Sequence, residues 1–167
     1  MSFSNPYALI APIAMAFLGL ALVIAWNFDH HQRPLLHMGL GIVVTSLSLG
    51  AQSVMPVEAI ARYAVLTSLL YLCGAWLIGR GMAYKFNTRY YTSVVAVICV
   101  LAWPGIYYYS HIEDDLGMRA SILGAGLCLL HILPAVHVFK RRQYLDKLDV
   151  VLYWSYLFFV SIPFCVP

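Results

Sequence analysis

The distribution of charge constrains the fold of this 167-residue chain more than any other sequence feature. Only 10% of the residues are Asp, Glu, Lys or Arg, and they leave six long stretches between them without charge. A bilayer core about 30 Å thick is crossed by about 20 apolar residues in an α-helix. The sequence therefore predicts six transmembrane helices, at about 7–27, 35–55, 59–79, 90–110, 120–139 and 150–166.

Composition excludes several other classes of protein. The chain is 62% hydrophobic, whereas soluble domains are about 45–50% apolar and about 25% charged. This rules out a disordered chain, a nucleic-acid-binding domain and an ordinary soluble enzyme. Strands are also excluded, because open sheet edges are not tolerated in lipid. The predicted fold class is an all-α, polytopic transmembrane helical bundle, with one domain over residues 1–167 because the loops are short.

The basic residues predict the orientation of this bundle. If the N-terminus is outside, eight of the ten Lys and Arg residues fall in inner loops, and only Arg62 and Arg119 lie outside. The six helices then form three hairpins (1–2, 3–4 and 5–6) that turn on the inside. The apolar run from residue 150 to 167 has no polar tail. We therefore expect a longer chain, in which a seventh helix returns to the inner side.

Small residues and cysteines suggest how the helices pack. Ser46/Gly50 and Ala120/Gly124 are pairs of small residues four apart, which allow helix backbones to approach closely. Packing within the bundle is the favoured interpretation, and a dimer face is the alternative. The four cysteines lie in predicted helices without a C-x-x-C motif, so we expect free thiols; they are Cys73, Cys99, Cys128 and Cys165.

Few side chains suggest chemistry. The Asp, Glu, Lys and Arg residues lie at predicted helix boundaries, which argues against ion-coupled transport but leaves a carrier for a neutral solute as an alternative. No G-x-S-x-G or H-E-x-x-H motif occurs, so no catalytic residue is predicted. His37 and His137 could lie at one depth and hold a haem, giving a small haem-binding or redox membrane protein as a further alternative. Otherwise no metal or cofactor is expected.

A ligand pocket is predicted where proline can kink helices 4 and 5. Trp103-Pro104-Gly105 is the strongest helix breaker in the chain, and His131 lies deep in the fifth predicted helix. The candidate ligand-binding residues are accordingly Trp103, Pro104, Tyr107 and His131. The expected ligand is small and largely apolar, such as a lipid, a fatty acid or a quinone-like molecule.

The order of helices and loops resembles a known family. The first helix ends in Trp26-Asn27-Phe28-Asp29, and the second opens with the segment from Arg33-Pro34 to Gly39-Leu40-Gly41. Gly79-Arg80-Gly81 follows, and then the Arg141–Asp149 loop leads into Leu152-Tyr153-Trp154. Over nearly the whole chain, this layout resembles the multi-helix membrane sensor region of bacterial diguanylate cyclases.

The resemblance implies a function for the chain. In that family a seventh helix leads to a cytoplasmic GGDEF domain, which makes cyclic di-GMP. We therefore predict a sensory domain in the bacterial inner membrane that controls such an output domain. It would contact membrane lipids and no nucleic acid, and it would pair as a homodimer through the full-length chain. The 167 residues contain no GGDEF motif, so no enzymatic activity is predicted for them.

Overall fold

The described residues form helices and turns without strands. A computed structural model describes residues 6–88, 90, 92–113, 115–140, 150, 151 and 154. A 3₁₀ turn at Pro6–Leu9 precedes five helices, which are α1 (Ile10–Phe28), α2 (Arg33–Val54), α3 (Val57–Lys85), α4 (Thr92–His111) and α5 (Leu116–Lys140). All five are long and apolar enough to cross a membrane, which confirms the predicted all-helical class. The sixth predicted helix, 150–166, lies almost entirely outside the described residues.

Helix α3 is central among these helices. It packs against α2 on one side and against α4 and α5 on another, while α1 packs against α2. The most extensive contact is between α2 and α3. The three-hairpin plan places these two helices in different hairpins, so the chief packing contact joins helices of separate hairpins.

Two glycines on α2 explain its position between α1 and α3. Each residue turns an α-helix by about 100°, so Gly39 and Gly41 face nearly opposite sides. A Cβ atom at Gly39 would lie 2.7 Å from the carbonyl oxygen of Gly19 on α1. A Cβ atom at Gly41 would lie 2.7 Å from the carbonyl oxygen of Gly74 on α3. The backbones are therefore in direct contact on both sides, and no side chain fits between them.

The predicted small-residue pairs have different surroundings. Ser46 is buried in the bundle, and a Cβ atom at Gly50 would lie 3.6 Å from Pro12 of α1. By contrast, a Cβ atom at Gly124 on α5 would meet nothing within 4 Å, and Ala120 is exposed. Among the described residues, the Ser46/Gly50 pair lies within the bundle and the Ala120/Gly124 pair lies on its surface.

The other side of α3 is packed by larger side chains. A core cluster joins α3 to α4 and α5, and its buried members are Leu72, Ala75, Val95, Ala102, Ile106 and Leu130. Leu72, Ile106 and Leu130 are at most 1% exposed. Interlocking side chains, rather than touching backbones, therefore form most of this contact.

Helix α3 ends later than the sequence prediction of residue 79. After Lys85, the backbone N–H of Thr88 donates to the Ala83 carbonyl at 2.8 Å, and that of Asn87 donates to Tyr84 at 3.2 Å. Asn87 has a φ of 48°. These are the two hydrogen bonds and the left-handed residue of a Schellman motif, which closes a helix C-terminus. Arg80 therefore lies within α3 and not in the predicted loop.

Helix α5 begins at Leu116 instead of the predicted residue 120, and Asp115 provides the reason. Its carboxylate oxygen Oδ1 accepts hydrogen bonds from the backbone N–H groups of Gly117 at 2.9 Å and Met118 at 3.1 Å. A carboxylate at this position satisfies N–H groups that have no partner within the helix. Asp115 thus caps the N-terminus of α5.

Candidate ligand site at the basic end of helix α3

The last turns of α3 and the first turns of α2 lie side by side. A Cβ atom at Gly81 would lie 3.0 Å from the backbone nitrogen of Met38 and 3.1 Å from the carbonyl oxygen of Pro34. This contact brings together the helix ends that carry Arg33, Arg80 and Lys85, and we call this region the basic end of the bundle.

Arg80 is held between two aromatic rings at the basic end. Trp76, Arg80 and Tyr84 are four residues apart, so they share one face of α3. The guanidinium carbon lies 5.5 Å from the Trp76 ring centroid and 5.7 Å from that of Tyr84. Its Nη2 atom donates to the Tyr84 hydroxyl at 3.3 Å. Each cation–π contact contributes about 0.5–1 kcal/mol at an exposed site, and the Arg80–Tyr84 interaction is exposed, so the rings favour this position of the guanidinium.

His37 extends this arrangement onto α2. Its ring centroid lies 5.0 Å from that of Tyr84, and its Nδ1 atom is 2.9 Å from the carbonyl oxygen of Arg33. Because a carbonyl can only accept, Nδ1 carries the proton in this hydrogen bond. The haem alternative also needs His137, whose side chain lies outside the described part of the chain. Within that part, no group of three His, Cys, Asp or Glu residues could hold a metal ion.

One buried donor lies on α3 about one turn before Arg80, and a second lies on the segment after α3 and packs against Gly79. The Trp76 indole N–H and the Tyr90 hydroxyl are both buried without a hydrogen-bond partner among the described residues. Tyr90 packs on Gly79, where a Cβ atom would lie 2.8 Å from its hydroxyl oxygen. A buried donor without an acceptor costs about 1–3 kcal/mol. We call His37, Trp76, Arg80, Tyr84 and Tyr90 the Arg80 cluster.

The Arg80 cluster is rich in donors and poor in acceptors. No carboxylate of the described residues pairs with Arg80. Burial, with a smaller contribution from Cys99, raises the pKa of the Tyr90 phenol above its usual value of 10.0. Tyr90 therefore stays protonated at neutral pH and can donate. This arrangement suits a ligand that brings oxygen acceptors or negative charge.

The neighbouring turn between α1 and α2 is ordered by its own side chains. The Asp29 carboxylate accepts hydrogen bonds from the Gln32 side chain at 3.0 Å and from the His31 backbone N–H at 3.1 Å. These two hydrogen bonds, chiefly that from Gln32, lower the pKa of Asp29 below 3.8. Trp26 stacks on His30 with 4.8 Å between ring centroids. These interactions fix the turn itself.

The ligand-binding residues predicted from sequence lie elsewhere in the molecule. Trp103 and Tyr107 are 52% and 50% exposed, and Pro104 beside them is also exposed on α4. Tyr107 stacks on His111 with 4.8 Å between ring centroids. His131 is half-buried on α5. The three α4 residues thus share an outer surface of the bundle, and their role in ligand binding stays a prediction.

The Arg80 cluster is not predicted by the sequence. The charge pattern predicts that helix 3 ends at residue 79 and that Arg80 lies in a loop, where a basic residue only marks orientation. The regular spacing of Trp76, Arg80 and Tyr84 could have indicated the shared face. The contact between Tyr90 and Gly79 leaves no such pattern in the sequence.

Known proteins offer no guide to this site. Comparison with family models, curated proteins and solved structures finds no match to the chain. The resemblance to diguanylate cyclase sensor regions therefore stays a prediction.

Proposed function

We propose that this chain is a membrane-embedded sensory domain. A ligand bound at the Arg80 cluster would shift α4 and α5 relative to α1, α2 and α3, and the shift would control a cytoplasmic output domain. The observation that carries this proposal is the position of the cluster. Arg80, Tyr84 and His37 belong to the α2–α3 contact, whereas Trp76 and Tyr90 pack against the core cluster shared with α4 and α5.

The packing around α3 supports a movement between two units. Backbone contacts at glycine join α1, α2 and α3, and the Ser48 hydroxyl donates across α2 and α3 to the Thr67 carbonyl at 2.8 Å. Helices α4 and α5 meet α3 mainly through side chains, which can repack during small sliding motions. A ligand can shift such an equilibrium only if it binds one arrangement more tightly.

The resemblance to diguanylate cyclase sensor regions implies the nature of the output domain. The domain would be a GGDEF domain on the inner side of a bacterial inner membrane, and a seventh helix would connect it to the bundle. The full-length chain would form a homodimer. In this proposal the 167 residues bind the signal, and cyclic di-GMP synthesis takes place in the output domain. Membrane lipids are the expected surroundings and a source of the ligand.

Distances between spin labels on exposed positions test the proposed movement. Phe17 on α1, Leu47 on α2 and Leu129 on α5 are 70%, 62% and 51% exposed. Each label is introduced at cysteine after the native cysteines are replaced by serine, and the chain is placed in phosphatidylcholine nanodiscs with or without phosphatidylglycerol. We expect the Leu47–Leu129 distance to shift by about 1–2 Å with the anionic lipid.

The Phe17–Leu47 pair is the matched control, because both labels lie on helices joined by glycine contacts and neither residue belongs to the proposed ligand site. This distance should be equal in the two lipid compositions. If neither distance changes, or if both change equally, the proposed movement of α4 and α5 against the other helices is wrong.

A further inference from the structure

We infer that the Arg80 cluster binds the oxyanion head of a membrane amphiphile, either a carboxylate or a phosphodiester. This inference deepens the proposed sensory role and rests on it for its consequence, while binding itself is measured separately. Three features carry it: the donors at the cluster, the lack of a described carboxylate partner, and an apolar stripe that leads away from the cluster along α3.

The guanidinium of Arg80 is prepared for an oxyanion. Arginine has five N–H donors in a planar fork, and here one of its terminal nitrogens already donates to Tyr84. The remaining donors match the paired oxygens of a carboxylate or phosphate. The rings of Trp76 and Tyr84 hold the fork in position, so less conformational freedom is lost when an anion binds.

The two buried donors extend the site beyond the charge. Trp76 lies about one turn before Arg80 on α3, and the Tyr90 hydroxyl packs on Gly79 beside Arg80. Neither the Trp76 indole N–H nor the Tyr90 hydroxyl has an acceptor among the described residues. Both atoms are buried, so an ester carbonyl or a further head-group oxygen would reach them only when neighbouring side chains move, as in the proposed shift of α4 and α5. Because these donors are neutral, they favour oxygen-rich groups without demanding a second negative charge.

An exposed apolar stripe distinguishes an amphiphile from a soluble anion. Leu66, Leu69 and Cys73 precede Trp76 at steps of three or four residues, so they continue the face that carries Arg80. Leu66 is 56% exposed and Leu69 is 42% exposed, and Cys73 is exposed as well. An acyl chain lying on this stripe would extend from Arg80 towards the middle of α3.

Thermal unfolding in a neutral detergent tests the inference on the whole 167-residue chain. The probes are oleate and phosphatidylglycerol, with oleyl alcohol, phosphatidylcholine and inorganic phosphate as comparisons. A ligand that binds only the folded state raises the unfolding temperature. We expect oleate, phosphatidylglycerol or both to raise it in a saturable manner, and the three comparison compounds to leave it nearly unchanged. The two anionic probes distinguish a fatty acid from a phospholipid.

Variants locate the binding site. Arg80→Gln should raise the half-saturating concentration of the anionic probe about tenfold or more, because a hydrogen-bonded charge is lost. Arg62→Gln is the matched control, since Arg62 is an exposed arginine at the other end of α3, and it should behave as the wild type. Arg80→Lys keeps the charge without the planar fork and should bind with intermediate strength. The Arg80→Lys variant also provides a test if Arg80→Gln does not fold.

Three results would overturn the inference: equal stabilisation by oleyl alcohol, equal stabilisation by inorganic phosphate, or equal weakening by Arg80→Gln and Arg62→Gln. The spin-label distances separate this outcome from failure of the proposed function. Binding through Arg80 without a change in the Leu47–Leu129 distance would keep the ligand assignment and reject the movement. A distance change that survives Arg80→Gln would keep the movement and reject the assignment of its ligand to Arg80.

Discussion

The two sides of helix α3 are packed in different ways. Towards α2, backbones touch where Gly41 meets Gly74, and a hydrogen bond crosses from Ser48. Towards α4 and α5, Leu72 and Leu130 are part of a side-chain core. In a bilayer, apolar side chains gain little by leaving lipid, so helices associate through close packing and hydrogen bonds. The contact between α2 and α3 is packed closely by touching backbones, whereas the contact of α3 with α4 and α5 is packed by fitted side chains.

This difference separates a rigid contact from an adaptable one. Backbones that touch at glycine have no rotamers to change, so any added atom must move a whole helix. A core of leucine and isoleucine can move to a second arrangement by changing rotamers, although each arrangement is closely packed. Mutations on the two sides of α3 should therefore differ in size and in the region they disturb.

The largest effect is expected from Gly41→Val. The added side chain would meet the backbone of Gly74, whose oxygen lies 2.7 Å from the position of a new Cβ atom. Overpacking against a backbone should lower the free energy of unfolding by about 3 kcal/mol or more. Equilibrium unfolding in mixed detergent, followed by circular dichroism, measures the change.

Gly124→Val is the control for this substitution, because nothing lies within 4 Å of its new Cβ atom. Since valine and glycine differ little in helix propensity, its free energy of unfolding should change by less than about 0.5 kcal/mol. Equal losses for the two variants would show that α2 and α3 are not held together by touching backbones.

A smaller effect is expected on the other side of α3, from Leu130→Ala. Leu130 is 0% exposed, whereas Leu129 beside it is 51% exposed. In lipid the loss comes mainly from the cavity, so we expect about 2 kcal/mol, near the low end for buried leucine. Hydrogen exchange should increase in α4 and α5 and stay nearly unchanged between α2 and α3. Leu129→Ala is the control and should have little effect. If Leu130→Ala instead speeds exchange throughout the bundle, the two sides of α3 are not independent of each other.

The sequence predicted the helices well because spanning a membrane is a property of a single segment. The charge-free stretch at 7–27 corresponds to α1 at Ile10–Phe28. Helices α2 and α4 agree equally well with their predicted ranges, whereas α3 ends later and α5 begins earlier than predicted. Helix partners were harder to predict, because contact is a property of two segments. Gly39 and Gly41 are visible in the sequence as small residues, but nothing in the sequence pairs them with Gly19 and Gly74.

The Arg80 cluster was missed for a related reason. Because charge is costly inside a bilayer, a basic residue predicts the end of a helix. Arg80 instead remains in α3, where two aromatic rings cover its guanidinium and its long side chain can reach towards the membrane surface. The spacing of the rings was visible in the sequence, and Asn87 is a residue that suits the helix end. The approach of Tyr90 to Gly79 depends on the folded bundle.

The smallest effect is expected from Ser48→Ala, which tests whether hydrogen bonding adds to backbone shape between α2 and α3. The Ser48 hydroxyl is fully buried and donates to the Thr67 carbonyl of α3 at 2.8 Å. Ser53 on the same helix donates to Leu49 within its own helix, also at 2.8 Å. Hydrogen bonds between membrane helices average about 0.6 kcal/mol. The same unfolding measurement should thus show a loss of about this size for Ser48→Ala and almost none for Ser53→Ala. Equal values would mean that the Ser48 hydrogen bond adds no stability to the contact between α2 and α3.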